Sequence, residues 1–180
     1  MELEPINWLD HTIKLPRDYQ VDCFVHLEPQ RNAAMFSDPG MGKTKSAIDI
    51  VCYRAMMRQI DTVILFAWPF GVHDQWVDEQ IPKHWWKSVG VKSAAWNGVK
   101  LPPEIMRKPA KGTVHFIAFN IEATRSGKAM DAVHALADAN GKNIMFILDE
   151  SQRAKDNTTV TWKELKDLAM KCQYRMIMTG

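Results

Sequence analysis

Ala33-Ala34-Met35-Phe36 runs directly into Ser37-Asp38-Pro39-Gly40-Met41-Gly42-Lys43-Thr44, and the fold is decided in this stretch. The apolar run reads as a short strand. Beyond Thr44, the apolar residues Ala47, Ile48, Val51, Cys52, Ala55 and Met56 fall in two adjacent rows at helical spacing, one face of an amphipathic helix. Strand, glycine loop, Lys-Thr and helix in that order make a phosphate-binding loop. Gly40 and Gly42 permit backbone angles and a close approach that a Cβ would block, so successive amide N–H groups can turn toward an anion. The helix N-terminus adds partial positive charge. Pro39, Gly40, Met41, Gly42, Lys43, Thr44 and Lys45 are therefore the candidate nucleotide-binding residues. Lys43 is expected to reach the β- and γ-phosphates, and the Thr44 hydroxyl to ligate the magnesium ion that bridges them. The general pattern has Gly where this chain has Ser37.

Working outward, further apolar runs lie at Thr62 to Ala67, Val114 to Phe119, Ile144 to Leu148 and Tyr174 to Met178, with another candidate strand at Val91 to Ala95. They lack clean polar alternation, as strands covered on both faces do. Weaker helical spacing occupies Val72 to Trp86, Ala129 to Ala139 and Trp162 to Met170. Strands alternating with helices predict an α/β fold, a mostly parallel central sheet flanked by helices on both faces. Residues 97–112, with Gly98, Pro102, Pro103 and Pro109 among several basic side chains, read as an exposed connection, and the polar stretch 149–159 as a loop after a strand.

The run Ile144 to Leu148 leads into Asp149-Glu150-Ser151-Gln152. Carboxylates at the C-terminal end of a buried parallel strand stand at the sheet edge where open α/β folds bind ligands. Asp149 is placed to hold magnesium, and Glu150 to orient and deprotonate the water that attacks the γ-phosphate. Two adjacent acids leave an extended backbone in different directions, which suits two roles. ATP and Mg2+ are thus the expected cofactors.

Composition narrows the classes. At 180 residues and 46% hydrophobic the chain can bury one core, so residues 1–180 are read as one domain with a lead-in over 1–14. No apolar run approaches the roughly 18–20 residues that span a bilayer, and Met1 to Pro5 is acidic where a signal peptide is basic, so no membrane partner is expected. Cys23, Cys52 and Cys172 stand far apart and suggest neither disulfides nor a zinc site, and the six histidines form no ligand spacing. The net charge of +2 is uninformative, but the acids Glu2, Glu4, Asp10, Asp18, Asp22 and Glu28 face only Lys14 and Arg17 in the first segment and leave the remainder basic. That distribution permits a nucleic-acid partner without diagnosing one.

From about residue 13 to 180 these motifs resemble the first RecA-like domain of superfamily 2 helicases and translocases, most of all the Swi/Snf-like branch and its phage relatives, in which a small residue such as Ser37 is ordinary. The resemblance implies further roles. Leu15-Pro16-Arg17-Asp18-Tyr19-Gln20 is similar to the family's segment whose glutamine reads adenine, making Gln20 the adenine candidate with Arg17 beside it. The strand Thr62 to Ala67 and the turn Trp68-Pro69-Phe70-Gly71 resemble the family's nucleic-acid-facing turn, so Pro69, Phe70 and Gly71 become candidate contacts, with Asn120 after the strand Val114 to Phe119 as another. Trp76, Trp85 and Trp86 are expected to pack against the sheet. Asp149-Glu150-Ser151-Gln152 stands where relatives have Asp-Glu-Ala-His, so Gln152 takes the position that couples the γ-phosphate region to the next motif, and Arg153-Ala154-Lys155-Asp156 resembles Arg-x-Lys-Asn. Thr179-Gly180 resembles the start of Thr-Gly-Thr-Pro.

The function this implies is the ATP-binding motor domain of a DNA helicase or translocase in the cytoplasm of a bacterial cell or phage-infected host. Its partners are then nucleic acid and a second RecA-like domain, absent from this chain, that supplies arginines across the cleft. The isolated domain is expected to hydrolyse ATP poorly. Two alternatives stay open: a motor subunit of a restriction or other DNA-modifying complex, and an ATP-binding regulatory module that does not hydrolyse.

Overall fold

The computed structural model of the protein describes residues 6–140, 143–154, 156 and 159–180; Met1 to Pro5 of the lead-in and Lys155 of the Arg-x-Lys-Asn match lie outside them. Its centre is a six-stranded sheet in the order β1-β6-β5-β2-β4-β3, with every pairing parallel. The strands are β1 (Asn32–Phe36), β2 (Thr62–Ala67), β3 (Gly90–Ala95), β4 (Thr113–Asn120), β5 (Ile144–Leu148) and β6 (Tyr174–Thr179). Each expected strand is present, including the one near Val91.

The reason these runs lack polar alternation is visible in the packing. Along β2, Val63, Leu65 and Ala67 enter one core layer, and Ile64 and Phe66 the other. Every residue of β2 and β5 is buried, because both strands lie inside the sheet with helices on either side. The first layer holds α2 (Asp18–Leu27) and α3 (Lys43–Met56); the second holds α6 (Gly127–Asn140) and α7 (Val160–Lys171). A four-residue helix α1 (Trp8–His11) lays Trp8 edge-on against Phe24 and Trp86.

The helical spacing at Val72 to Trp86 resolves into α4 (Val72–Gln75), a π-helical turn (Trp76–Gln80) and α5 (Ile81–His84). Pro82 explains the widening: it has no N–H for the Asp78 carbonyl and its ring crowds that oxygen, which a wider turn relieves. Trp76, Trp85 and Trp86 are all buried, the first stacked on Phe116 and the second edge-on to it. Within the polar stretch 149–159, Ser151–Ala154 forms a 3-10 turn. Helix α2 carried no periodic signal in the sequence strong enough to place it.

Parallel register delivers the functional edge. Phe36 pairs with Thr179, Phe66 with Leu148 and Ala67 with Asn120, so the loops that follow β1, β5, β2, β4 and β6 leave from the same side. Leu65→Ala, at a fully buried point of β2, is expected to lower unfolding free energy by roughly 2–5 kcal/mol, measured by urea denaturation. Met170→Ala, on the exposed side of α7, should change it by less than about 0.5 kcal/mol.

Candidate functional site

The glycine loop closes as its sequence requires. Gly40 and Gly42 have φ of 83° and 78°, the left-handed region that glycine enters without strain. Gly42 has a second constraint, since a Cβ there would collide with the Gln20 amide. Gln20 itself is buried and clamps α2 to the loop: its Oε1 accepts the Arg17 backbone N–H at 2.9 Å, and its Nε2 donates to the Gly42 carbonyl at 3.3 Å. The Lys43 ammonium lies back over the loop, donating to the carbonyls of Ser37 at 2.7 Å and Asp38 at 3.3 Å. Thr44 follows it on the first turn of α3, half-buried. A cavity of about 420 Å³ opens here, with Arg17, Gln20, Lys43 and Thr44 on one side.

Its other wall comes from residues that sequence reasoning missed: Gln80, the last residue of the π-helical turn, and Lys83 and His84 at the end of α5. Burial, with Lys45, Lys83 and Lys14 nearby, lowers the His84 pKa to about 4, so this imidazole is neutral at ordinary pH. Nothing in its spacing announced it, because only the packing of α5 beside α3 brings it there.

Asp149 and Glu150 leave the end of β5. The Asp149 N–H donates to the Phe66 carbonyl at 2.8 Å, which extends the β5–β2 ladder to the acidic residue itself. Its Oδ1 accepts the Glu150 N–H at 3.1 Å and its Oδ2 accepts the Trp76 indole N–H at 3.1 Å. Burial raises the Asp149 pKa above the usual carboxylate value; the Trp76 bond opposes it, the Glu150 charge adds to it, and the Glu150 N–H and the Lys43 charge oppose it. Glu150 stands at φ 56° and so departs in a different direction from its neighbour. Gln152 donates to Glu150 Oε2 at 2.5 Å and accepts from the Thr179 hydroxyl, so one amide bridges the second acid and the end of β6. Gly180 then abuts the loop so closely that a Cβ would strike the Lys43 ammonium and the Ser37 carbonyl. The Arg153 guanidinium covers the Trp68 ring at 3.6 Å from its centroid.

Thr44 and Asp149 offer hard oxygen donors and a single carboxylate, the set that suits magnesium held jointly with phosphate oxygens. Among the described residues there is no cluster of three or more His, Cys, Asp or Glu that would hold another metal. No helix among them is long and apolar enough to cross a membrane.

Two of the candidate residues turn their side chains into the fold. Lys45 lines the same cavity, but its side chain is 4% exposed and bonds both oxygens of Asp49 at 2.5 and 2.6 Å, while the Trp86 indole donates to Asp49 Oδ1 at 2.8 Å. Asn120 is 9% exposed, and its carboxamide oxygen caps the 3-10 turn Ile121–Arg125 through the Ala123 N–H at 2.7 Å. That task ties its side chain to the turn after β4. Phe70 is 77% exposed at the tip of the turn after β2, and Gly71 closes that turn at φ 92°.

A family profile, the SNF2-related domain, matches residues 17–180, and the chain belongs to that family. No curated protein sequence matches it significantly. Among solved structures it is similar to the Sulfolobus solfataricus SWI2/SNF2 ATPase core in complex with double-stranded DNA, with TM-score 0.71 and 18% identity over 99% of this chain and 34% of that one. The same protein's ATPase core domain gives TM-score 0.68 and 20% identity over 99% of this chain and 33% of that one. A nuclease-deletion form of the Type ISP restriction-modification enzyme LlaGI, with a DNA substrate mimic, gives TM-score 0.61 and 15% identity over 92% of this chain and 17% of that one. The chain therefore spans about a third of the length of the Sulfolobus proteins, and these likenesses establish its fold as the RecA-like ATPase-core fold.

The buried Lys45–Asp49 pair yields a prediction. Burial raises the Asp49 pKa above its ordinary 3.8, with the Lys45 charge, the Lys45 hydrogen bond and the Trp86 bond opposing the rise. A carboxyl whose folded pKa is raised contributes stability that is complete below the unfolded value and is lost as pH climbs through the folded one. Lys45→Ala removes the main opposing charge and widens that window upward. The variant is expected to lose roughly 3–5 kcal/mol near neutral pH and clearly less near about pH 4.5, measured by urea unfolding at both.

Proposed function

We propose that this chain is the ATP-binding half of a DNA-dependent ATPase motor that moves along nucleic acid. The observation that carries this reading is the convergence at one sheet edge of Lys43, the Asp149–Glu150 pair and the Gln152 bridge to Thr179. In this reading the cavity beside Gln20 takes the nucleoside, Lys43 exchanges its loop carbonyls for β- and γ-phosphate oxygens, and Thr44 and Asp149 hold magnesium. The magnesium ion supplies charge neutralisation at the phosphates. Glu150 accepts a proton from the water whose oxygen bonds to the γ-phosphorus as the bond to the β–γ bridging oxygen breaks, releasing ADP.

Gln152, touching both Glu150 and Thr179, makes the hydrolytic carboxylate responsive to the end of β6. The turn Pro69–Gly71, with the Phe70 ring in solvent, is the part of this edge suited to contact a DNA backbone, giving affinity without base specificity. Arginines from a second RecA-like domain would stabilise transition-state charge, an effect of roughly 10³–10⁵ in rate. A motor within a restriction complex is the second reading, favoured by the likeness to LlaGI; nuclease or methyltransferase activity accompanying the full-length protein decides for it.

Lys43→Ala is expected to abolish binding of a fluorescent ATP analogue in magnesium. Glu150→Gln should bind it normally yet fail to turn over in the full-length protein with DNA. Full-length wild type that binds ATP without hydrolysing it, with or without nucleic acid, overturns the motor reading in favour of a regulatory module. Phe70→Ala is expected to weaken DNA binding while leaving nucleotide affinity unchanged, as read by fluorescence anisotropy of a labelled duplex.

A further inference from the structure

Trp76 does more than fill the core. Its side chain is 2% exposed and stacks on Phe116 with ring planes 17° apart, which fixes the ring on a surface belonging to the sheet. Its single polar atom, the indole Nε1, points to Asp149 Oδ2 at 3.1 Å, across 73 residues of sequence. The other carboxylate oxygen is held by the Glu150 N–H at 3.1 Å, so the plane of the carboxylate is set from both sides while each oxygen keeps a lone pair free. An indole donates and never accepts, so this contact favours the ionised acid and cannot be satisfied the other way round. The backbone of Trp76 continues the helix begun at Gly71, whose carbonyl accepts the Gln75 N–H at 3.1 Å, while the Pro69 carbonyl accepts the Val72 N–H at the same distance. The residue that steadies the acid therefore sits one helical turn from the exposed turn after β2.

We infer that Trp76 is a positioning residue for magnesium: its indole N–H holds the Asp149 carboxylate in the orientation that receives the nucleotide-bound ion. The inference rests on the reading of Asp149 as the magnesium carboxylate. Partners that orient a metal's ligands are commonly worth roughly 10–100-fold in metal affinity. Trp76→Phe keeps an aromatic ring to stack on Phe116 and deletes only the donor. Trp85→Phe is the matched control, because the Trp85 ring also meets Phe116 but its N–H donates to the Val89 carbonyl at 2.8 Å.

The experiment titrates Mg2+ into this chain with a fluorescent, non-hydrolysable ATP analogue, and repeats the binding in EDTA. Trp76→Phe is expected to raise the Mg2+ midpoint at least about tenfold, with unchanged affinity in EDTA, and Trp85→Phe to leave the midpoint in place. Added to Asp149→Asn, Trp76→Phe should shift the midpoint no further, since both act through one carboxylate. A Trp76→Phe midpoint equal to wild type, an equal loss of affinity in EDTA, or a full additional shift on top of Asp149→Asn overturns the inference while leaving the ATP-site reading intact. Wild type showing no Mg2+-dependent binding overturns both.

Discussion

The structure depends most on the register between β5 and β2. Thr62 to Phe66 pair with Ile144 to Leu148, and the ladder runs one bond further, from the Asp149 N–H to the Phe66 carbonyl. A one-residue slip of β2 would exchange the two core layers along it, putting Ile64 and Phe66 where Val63 and Leu65 now pack. It would also move Asp149 away from Trp76. Core packing and site geometry are thus set by the same pairing, and the acid is placed by backbone hydrogen bonds before any side chain acts on it.

A second constraint lies beneath the glycine loop. The ion pair of Lys45 and Asp49, one turn apart on α3, is buried under Trp86 and the N-terminal Trp8, whose ring lies 5.9 Å from the Lys45 ammonium. Buried pairs of this kind offer little net stability but penalise any arrangement that separates them. Because both partners ride on α3, the contact that ties its rotation to the rest of the fold is the Trp86 indole bond to Asp49, made from outside the helix. His84, on the neighbouring α5, is held neutral by the same burial and by the Lys45 charge, so the cavity wall opposite Gln20 carries a polar group that adds no charge of its own.

The acidic box is likewise held by neighbours from several elements. Trp76 reaches it from the helix after β2, Thr179 reaches Gln152 from the end of β6, and Arg153 lies on Trp68 at the start of the exposed turn. Two of these contacts lead to the segment after β2 and one to the end of β6, so displacement of either changes the surroundings of the box. Contacts shared in this way have few ways to rearrange independently.

Much of this was legible from residue types alone. The glycine loop, the buried strands and the Asp149–Glu150 pair carry local signals, because backbone conformation and two-sided burial constrain neighbouring residues directly. Their placement at one edge followed from strands alternating with helices, since parallel crossovers leave successive loops on the same side. The remainder was decided only by tertiary packing. Lys45 reads as one more cation of the loop until Asp49 and Trp86 claim it, and Asn120 reads as a polar residue at a strand end until it caps a 3-10 turn. Gln80, Lys83 and His84 face the cavity beside the glycine loop, and Trp76 meets Asp149, through contacts between elements distant in sequence. Such contacts leave no periodicity behind, because a side chain's spacing on its own helix says which face it shares and not what stands opposite that face.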